Sequence, residues 1–207
     1  MPVTSPDPAA VIFDLGGVLV ELGPLSDLLG SGAPPAETFW PEWLHSATVR
    51  DFEGGLTDAN TFAERMVSEF RLDMTADVLI DRFRAWPKGL FDGAAELLAE
   101  LRTNDQLLTG ALSNSNPVHW YEQVDAEKIR SLFDAPFLSF EMKLIKPDAA
   151  IYDFVTASLD LEPQQILYFD DNQINVDGAR AAGWQAEVTH GPNDCRVHLA
   201  ERGLVSL

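Results

Sequence analysis

The residues best equipped for chemistry stand at the ends of apolar runs. Asp14 closes Val11-Ile12-Phe13 and is followed by Leu15 and the pair Gly16-Gly17. Leu107–Leu112 runs into Ser113-Asn114-Ser115-Asn116, and Gln165–Phe169 runs into Asp170-Asp171-Asn172. Between these two lies Ile145-Lys146-Pro147-Asp148. Two adjacent acids at the end of an apolar strand repel each other unless a cation or a proton intervenes. Carboxylates suit hard cations such as Mg²⁺, which takes one or two of them together with waters and phosphate oxygens. A lysine acts on phosphate as a point charge, and a carboxylate at a strand-to-loop turn can attack phosphorus to form an aspartyl phosphate. Each group alone also has a plain reading as turn former, loop residue or solvated surface charge. Their order and shared position are what point to a site.

The elements that must position these groups follow from periodicity. Strands are expected over Ala10–Leu15, Leu107–Leu112, Phe137–Phe140, Gln165–Phe169 and Ala186–Thr189. Helices are expected over Asp77–Trp86, Asp92–Leu101, Pro117–Arg130, Asp148–Leu159 and Asn175–Ala182. A further helix starts at Thr57 as N-cap and carries Phe62, Met66 and Phe70 along one face. Strands alternating with helices predict an α/β fold, a Rossmann-like parallel sheet covered on both faces, with ligands outside the carboxyl ends of the strands. Residues 21–87 read differently, as a helical segment without a clear strand. They divide the chain into a core of residues 1–20 and 88–207 and a small helical insertion after the first strand.

Composition narrows the partners. The 207 residues are 46% hydrophobic, enough for a sizeable core. Against 14 Lys and Arg stand 33 Asp and Glu, a net charge of −19 that disfavours nucleic acid and anionic membranes. The single cysteine, Cys195, forms no disulfide within a monomer and fits a reducing, cytoplasmic setting. The N-terminal MPVTSPDPAA lacks the basic and apolar regions of a signal peptide. Nowhere is there an apolar run of about 18 residues that would span a bilayer. Both a monomer and a homodimer are compatible with these features.

Four ordered motifs, VIFDLGGVL, ALSNSN, IKPD and LYFDDN, resemble the haloacid dehalogenase-like hydrolase superfamily over nearly the whole chain. Within it the chain is similar to small sugar-phosphate phosphatases, including those acting on glucose 1-phosphate. The resemblance implies that the helical insertion is a cap and that Asp14 is the nucleophile. It implies further that Ser113 contacts the transferring phosphoryl group with Asn114 beside it, that Lys146 neutralises phosphate and nucleophile, and that Asp14, the Gly16 carbonyl, Asp171 and Asp170 hold Mg²⁺. Asn175 would orient the metal shell. In the cap His45 and Arg50 are candidate substrate contacts, with Trp40, Trp43 and Trp86 as packing residues; His119 and Trp120 are further candidates for facing the cleft.

One departure matters. Typical phosphatases of the superfamily carry a second aspartate two residues after the nucleophile, as general acid and base; here that position is Gly16. Loss of such help typically costs on the order of 10²–10⁴ in rate. The expected activity is hydrolysis of a small phosphorylated metabolite. The alternatives are a metal-independent 2-haloacid dehalogenase and a non-catalytic binding or regulatory protein that keeps the fold.

Overall fold

The computed structural model describes residues 6–207, so the first five residues of the Pro-rich lead-in lie outside the described residues. Its centre is a five-stranded parallel sheet of β1 (Ala10–Phe13), β4 (Leu108–Ser113), β5 (Ala135–Leu138), β6 (Ile166–Asp170) and β7 (Gln185–Val188), in the order β5-β4-β1-β6-β7. Side chains alternate along a strand, so each strand feeds two cores. Val11 and Phe13 of β1 and Leu167 and Phe169 of β6 pack on one face against α6 (Ala94–Leu101) and α12 (Gly191–Glu201). Ala10, Ile12, Ile166 and Tyr168 pack on the other against α10 (Ala149–Leu159) and α11 (Gln173–Ala181). Burial on both faces is why these strands read as continuous apolar runs.

Between β1 and α6 the chain leaves the sheet through an antiparallel ribbon of β2 (Val20–Leu22) and β3 (Pro87–Leu90). Beyond it lie α1 (Leu25–Leu29), α2 (Ala36–His45), α3 (Ala47–Glu53), α4 (Ala59–Glu69) and α5 (Ala76–Ala85). These helices share a third apolar core, built on Phe39, Phe52, Phe62, Met66, Leu79 and Phe83. Phe52 and Phe62 stack with ring centroids 4.3 Å apart. Val118 of α7 (Pro117–Glu122) joins this core, so the helical layer is packed onto the sheet domain as well as tethered by the ribbon. No helix among the described residues is long and apolar enough to cross a membrane.

Several expectations are corrected. The insertion is not purely helical at its edges, because β2 and β3 flank it; each is short, and β3 begins with a proline. Helix α4 is capped by Asp58, whose side chain accepts from the Thr61 amide at 2.8 Å, and not by Thr57, whose buried Oγ1 has no partner. The helix expected over residues 117–130 breaks after Glu122 and resumes as α8 (Ala126–Arg130), with Asp125 at φ +59° at the break. Strand β5 ends at Leu138, where Ser139 opens α9 (Ser139–Met142).

Candidate active site

The carboxyl ends of β1, β4 and β6 converge below the helical layer, where the strand order changes direction. The cleft between them has a volume of about 470 Å³. Asp14, Gly16, Ser113, Asn114, Lys146, Asp171 and Asn175 line its floor; Trp40, Trp43, His45, Glu53, Phe83 and Trp86 line the side facing the insertion. All four motifs therefore meet in one cavity of the size that holds small molecules.

Lys146 is the hub. Its Nζ lies 2.9 Å from Asp14 Oδ1 and 2.7 Å from Asp170 Oδ2, and it donates to Tyr168 Oη at 2.8 Å and to Leu112 O at 3.0 Å. Burial opposes its charge, but Asp14 and Asp170 hold it protonated, above the usual lysine range. Asn114 fixes its backbone, donating to Lys146 O at 3.1 Å and accepting from Lys146 N at 2.9 Å. Both ends of the Asn114 amide are thus engaged within the protein, so the residue expected beside the phosphoryl group positions the lysine.

Asp170 is fully buried and saturated. It accepts from Lys146 Nζ, from Tyr168 Oη, from Asn172 N at 2.8 Å and from Asn175 Nδ2 at 3.1 Å to each oxygen. Asp171 is partly exposed and faces the cleft. Oxygen atoms of Asp14, Asp170 and Asp171 all lie within 4.8 Å of one another. Burial, followed by Asp170 and Asp171, pushes the Asp14 carboxyl up to about 7 against the pull of Lys146. Burial and Asp170 push Asp171 up to about 6. Lys146 therefore does not cancel the negative charge, and the all-oxygen donor set suits a hard divalent cation. Gly17 closes that side: at φ +75°, a Cβ on it would sit 2.3 Å from Asp171 Oδ2.

The remaining candidate residues divide. His45 lies exposed at the rim, with Nδ1 2.7 Å from Pro41 O. Arg50 is not among the cleft-lining residues; its guanidinium bonds Asp148 at 2.8 Å across the insertion–core junction. Trp120 is buried in a sheet core, away from the cleft lining. His119 lines the cleft but is stacked on Phe83 at 4.0 Å, with Nε2 2.8 Å from Phe83 O, so this nitrogen carries the ring proton. Burial holds His119 down at about 4, as a neutral imidazole.

A residue without a motif completes the lining. Glu53 ends α3, and its carboxyl is pushed up to about 8, first by burial and then by Asp14, against Lys146, the Trp43 indole and Arg50. The only sequence signal was indirect: the pair Gly54-Gly55, which marks a helix end on an otherwise polar stretch.

The chain belongs to the haloacid dehalogenase-like hydrolase family, whose family model matches residues 8–183. It is a hydrolase of that class. Among curated relatives, the phosphorylated carbohydrates phosphatase of Thermotoga maritima is 27% identical, covering 96% of this chain and 93% of that protein. The (S)-2-haloacid dehalogenase 4A of Burkholderia cepacia is 25% identical, covering 84% of this chain and 80% of that protein. A crystal structure of a HAD family enzyme from Bacteroides thetaiotaomicron, in complex with magnesium and inorganic phosphate, aligns with a TM-score of 0.68 at 21% identity. That alignment covers 88% of this chain and 94% of the other, and the likeness is one of fold.

Proposed function

We propose that the protein is a Mg²⁺-dependent phosphatase of small phosphorylated metabolites, with a sugar phosphate as the favoured substrate class. The carrying observation is the cluster of Asp14, Asp170 and Asp171 around Lys146, in which burial and the neighbouring acids push the Asp14 and Asp171 carboxyls upward. A dehalogenase needs the nucleophile and a cation for its substrate carboxylate, but has no use for surplus buried negative charge. The relative acting on phosphorylated carbohydrates supports this choice.

In this reading Asp14, the Gly16 carbonyl and Asp171 would hold the metal, and Asp170 stands behind them as the anchor of Lys146 and Asn175. The cation would screen the charge between nucleophile and phosphate and polarise the phosphoryl oxygens. Asp14 attacks phosphorus and the bond to the leaving oxygen breaks, giving an aspartyl phosphate that water hydrolyses. Lys146 offsets the charge on the phosphoryl oxygens, and Ser113 donates to one of them. The helical layer acts as the cap, covering residues 21–87, and its aromatic wall selects the substrate. Trp40 stacks on Trp86 at 5.8 Å, which offers an apolar face to a sugar ring.

The test is phosphate release from a panel of sugar phosphates, nucleotides and acyl phosphates, with and without Mg²⁺, beside halide release from 2-haloacids. Mg²⁺-dependent phosphate release without halide release is expected. Halide release unaffected by EDTA, without phosphate release, would select the dehalogenase reading instead.

A further inference from the structure

Gly16 leaves the nucleophile turn without a proton donor, so an in-line displacement needs one from the opposite wall, where the leaving oxygen departs. The geometry points to Glu53 as that donor: a catalytic acid and base carried by the helical insertion and not by the nucleophile loop. This rests on the phosphatase reading.

The backbone of Glu53 is held on the core. Ser139 Oγ donates to Glu53 O at 2.5 Å, and the same hydroxyl accepts from Ser115 N at 3.0 Å, which ties the end of α3 to the second motif. Lys143 Nζ donates to Gly55 O. Gly55 sits at φ +65° where a Cβ would lie 2.4 Å from Phe140 O, so only a glycine lets the turn approach this closely. From the same helix as Glu53, Arg50 adds its pair with Asp148 of the core. These contacts set the Glu53 side chain into the cleft that contains Asp14 and Gly16.

The competing donors are engaged elsewhere. His119 gives its proton to Phe83 O and accepts at Nδ1 from Asn116 Nδ2 at 3.4 Å. Lys146 is clamped by two carboxylates. His45 sits at the exposed rim. The charged groups acting on Glu53 are Lys146 and Asp14 from the core and Arg50 from its own helix, and burial outweighs them, holding its carboxyl up to about 8. A carboxylic acid that keeps its proton at neutral pH suits a general acid.

The step balances. As Asp14 bonds to phosphorus, the leaving oxygen takes the P–O electron pair and the Glu53 proton, and an alcohol departs. The resulting Glu53 carboxylate then takes a proton from water, whose oxygen attacks the aspartyl phosphate. The P–O bond to Asp14 breaks, releasing phosphate and restoring both residues.

The experiment is a rapid-mixing comparison of wild type, Glu53→Gln and His45→Gln on two esters, with folding checked by circular dichroism. One is an aryl phosphate with an acidic phenol; the other is a primary alkyl phosphate. In Glu53→Gln the aryl ester should give a burst of about one phenolate per site, followed by slow turnover. On the alkyl ester the first step should fall on the order of 10²–10³-fold. The fall in wild-type kcat/KM for the alkyl ester on the alkaline side should vanish in this variant. Equal loss of the first step on both esters, no loss on either, or the selective pattern in His45→Gln would each overturn the assignment. No phosphate release by the wild type from either ester or from the sugar phosphates of the panel would instead overturn the phosphatase reading on which it rests.

Discussion

Replacing Lys146 by methionine keeps most of the side-chain volume and deletes the one ammonium shared by Asp14 and Asp170. The lysine side chain is 1% exposed, Asp170 0% and Asp14 12%, so water recovers little of the lost pairing. Breaking a buried pair by removing one partner typically costs about 3–5 kcal/mol. Asp14 keeps an open side, so we expect the lower end, about 3 kcal/mol at pH 8. The loss should also depend on pH. The Asp14 carboxyl lies at about 7 in the folded protein, against about 3.9 in an unfolded chain. Folding therefore favours its protonated form, and stability contributed by that preference is lost as pH rises between these values. Lys146 lowers the folded value, so without it the loss extends to higher pH and grows.

At pH 5 Asp14 is protonated in both proteins, and the remaining penalty is the lost pairing with Asp170. We expect destabilisation smaller at pH 5 than at pH 8 by about 1 kcal/mol or more, about one pKa unit of coupling. Urea denaturation at both values, without Mg²⁺, measures it. Equal destabilisation at the two pH values, or less than about 1 kcal/mol at pH 8, would refute the assignment of Lys146 as the electrostatic hub.

Four further outcomes are expected. Asp14→Asn should abolish turnover yet raise thermal stability at pH 8, because burial and the acids at 170 and 171 disfavour the charge it removes; a scanning melt and a phosphate assay check both. Asp171→Ala should abolish the rise in melting temperature that Mg²⁺ gives the wild type, and a retained rise would place the ion elsewhere. Gly17→Ala must move Asp171, since its Cβ would lie 2.3 Å from Oδ2 at φ +75°; Mg²⁺ affinity by titration should weaken about 10–100-fold. A Cβ at Gly16 comes nearest to the flexible Leu22 side chain, 3.3 Å from Cδ1, so Gly16→Asp should fold and partly restore alkyl-ester hydrolysis in the Glu53→Gln background.

The sheet was legible because its strands are buried on both faces and its helices are amphipathic. Strand Ile166–Asp170 and helix Ala149–Leu159 match their sequence expectations to within a residue or two. The ribbon was not legible, because Val20–Leu22 and Pro87–Leu90 are stabilised by pairing with each other across the insertion, not by a pattern within either. Thr57 and Asp58 are both N-cap formers, with Asp the stronger of the two. The choice between them is made by where the packing of Phe62 and Met66 places the first turn. Helix α12 has weak amphipathicity and a Gly-Pro start, and only burial of Cys195 and Leu199 against the sheet identifies it.

The floor of the site was legible because its groups stand at strand ends, where a one-dimensional pattern fixes a three-dimensional position. Asp14, Ser113, Lys146 and Asp171 come from four separate motifs and still line one cleft. The other wall follows no such rule. Arg50 and Glu53 are three residues apart on α3, yet one turns to Asp148 outside the cleft lining and the other lines the cleft. Nothing in their types distinguishes them in advance; both are ordinary charges on a short helix. What separates them is the depth at which α3 docks, and that is set by Ser139, Lys143 and the bare backbone of Gly55. The half-buried setting of Glu53, and the upward push on its carboxyl that follows from it, is thus a property of the insertion–core contact. An insertion held in this way can supply chemistry that the nucleophile turn has given up, without any change in the four motifs.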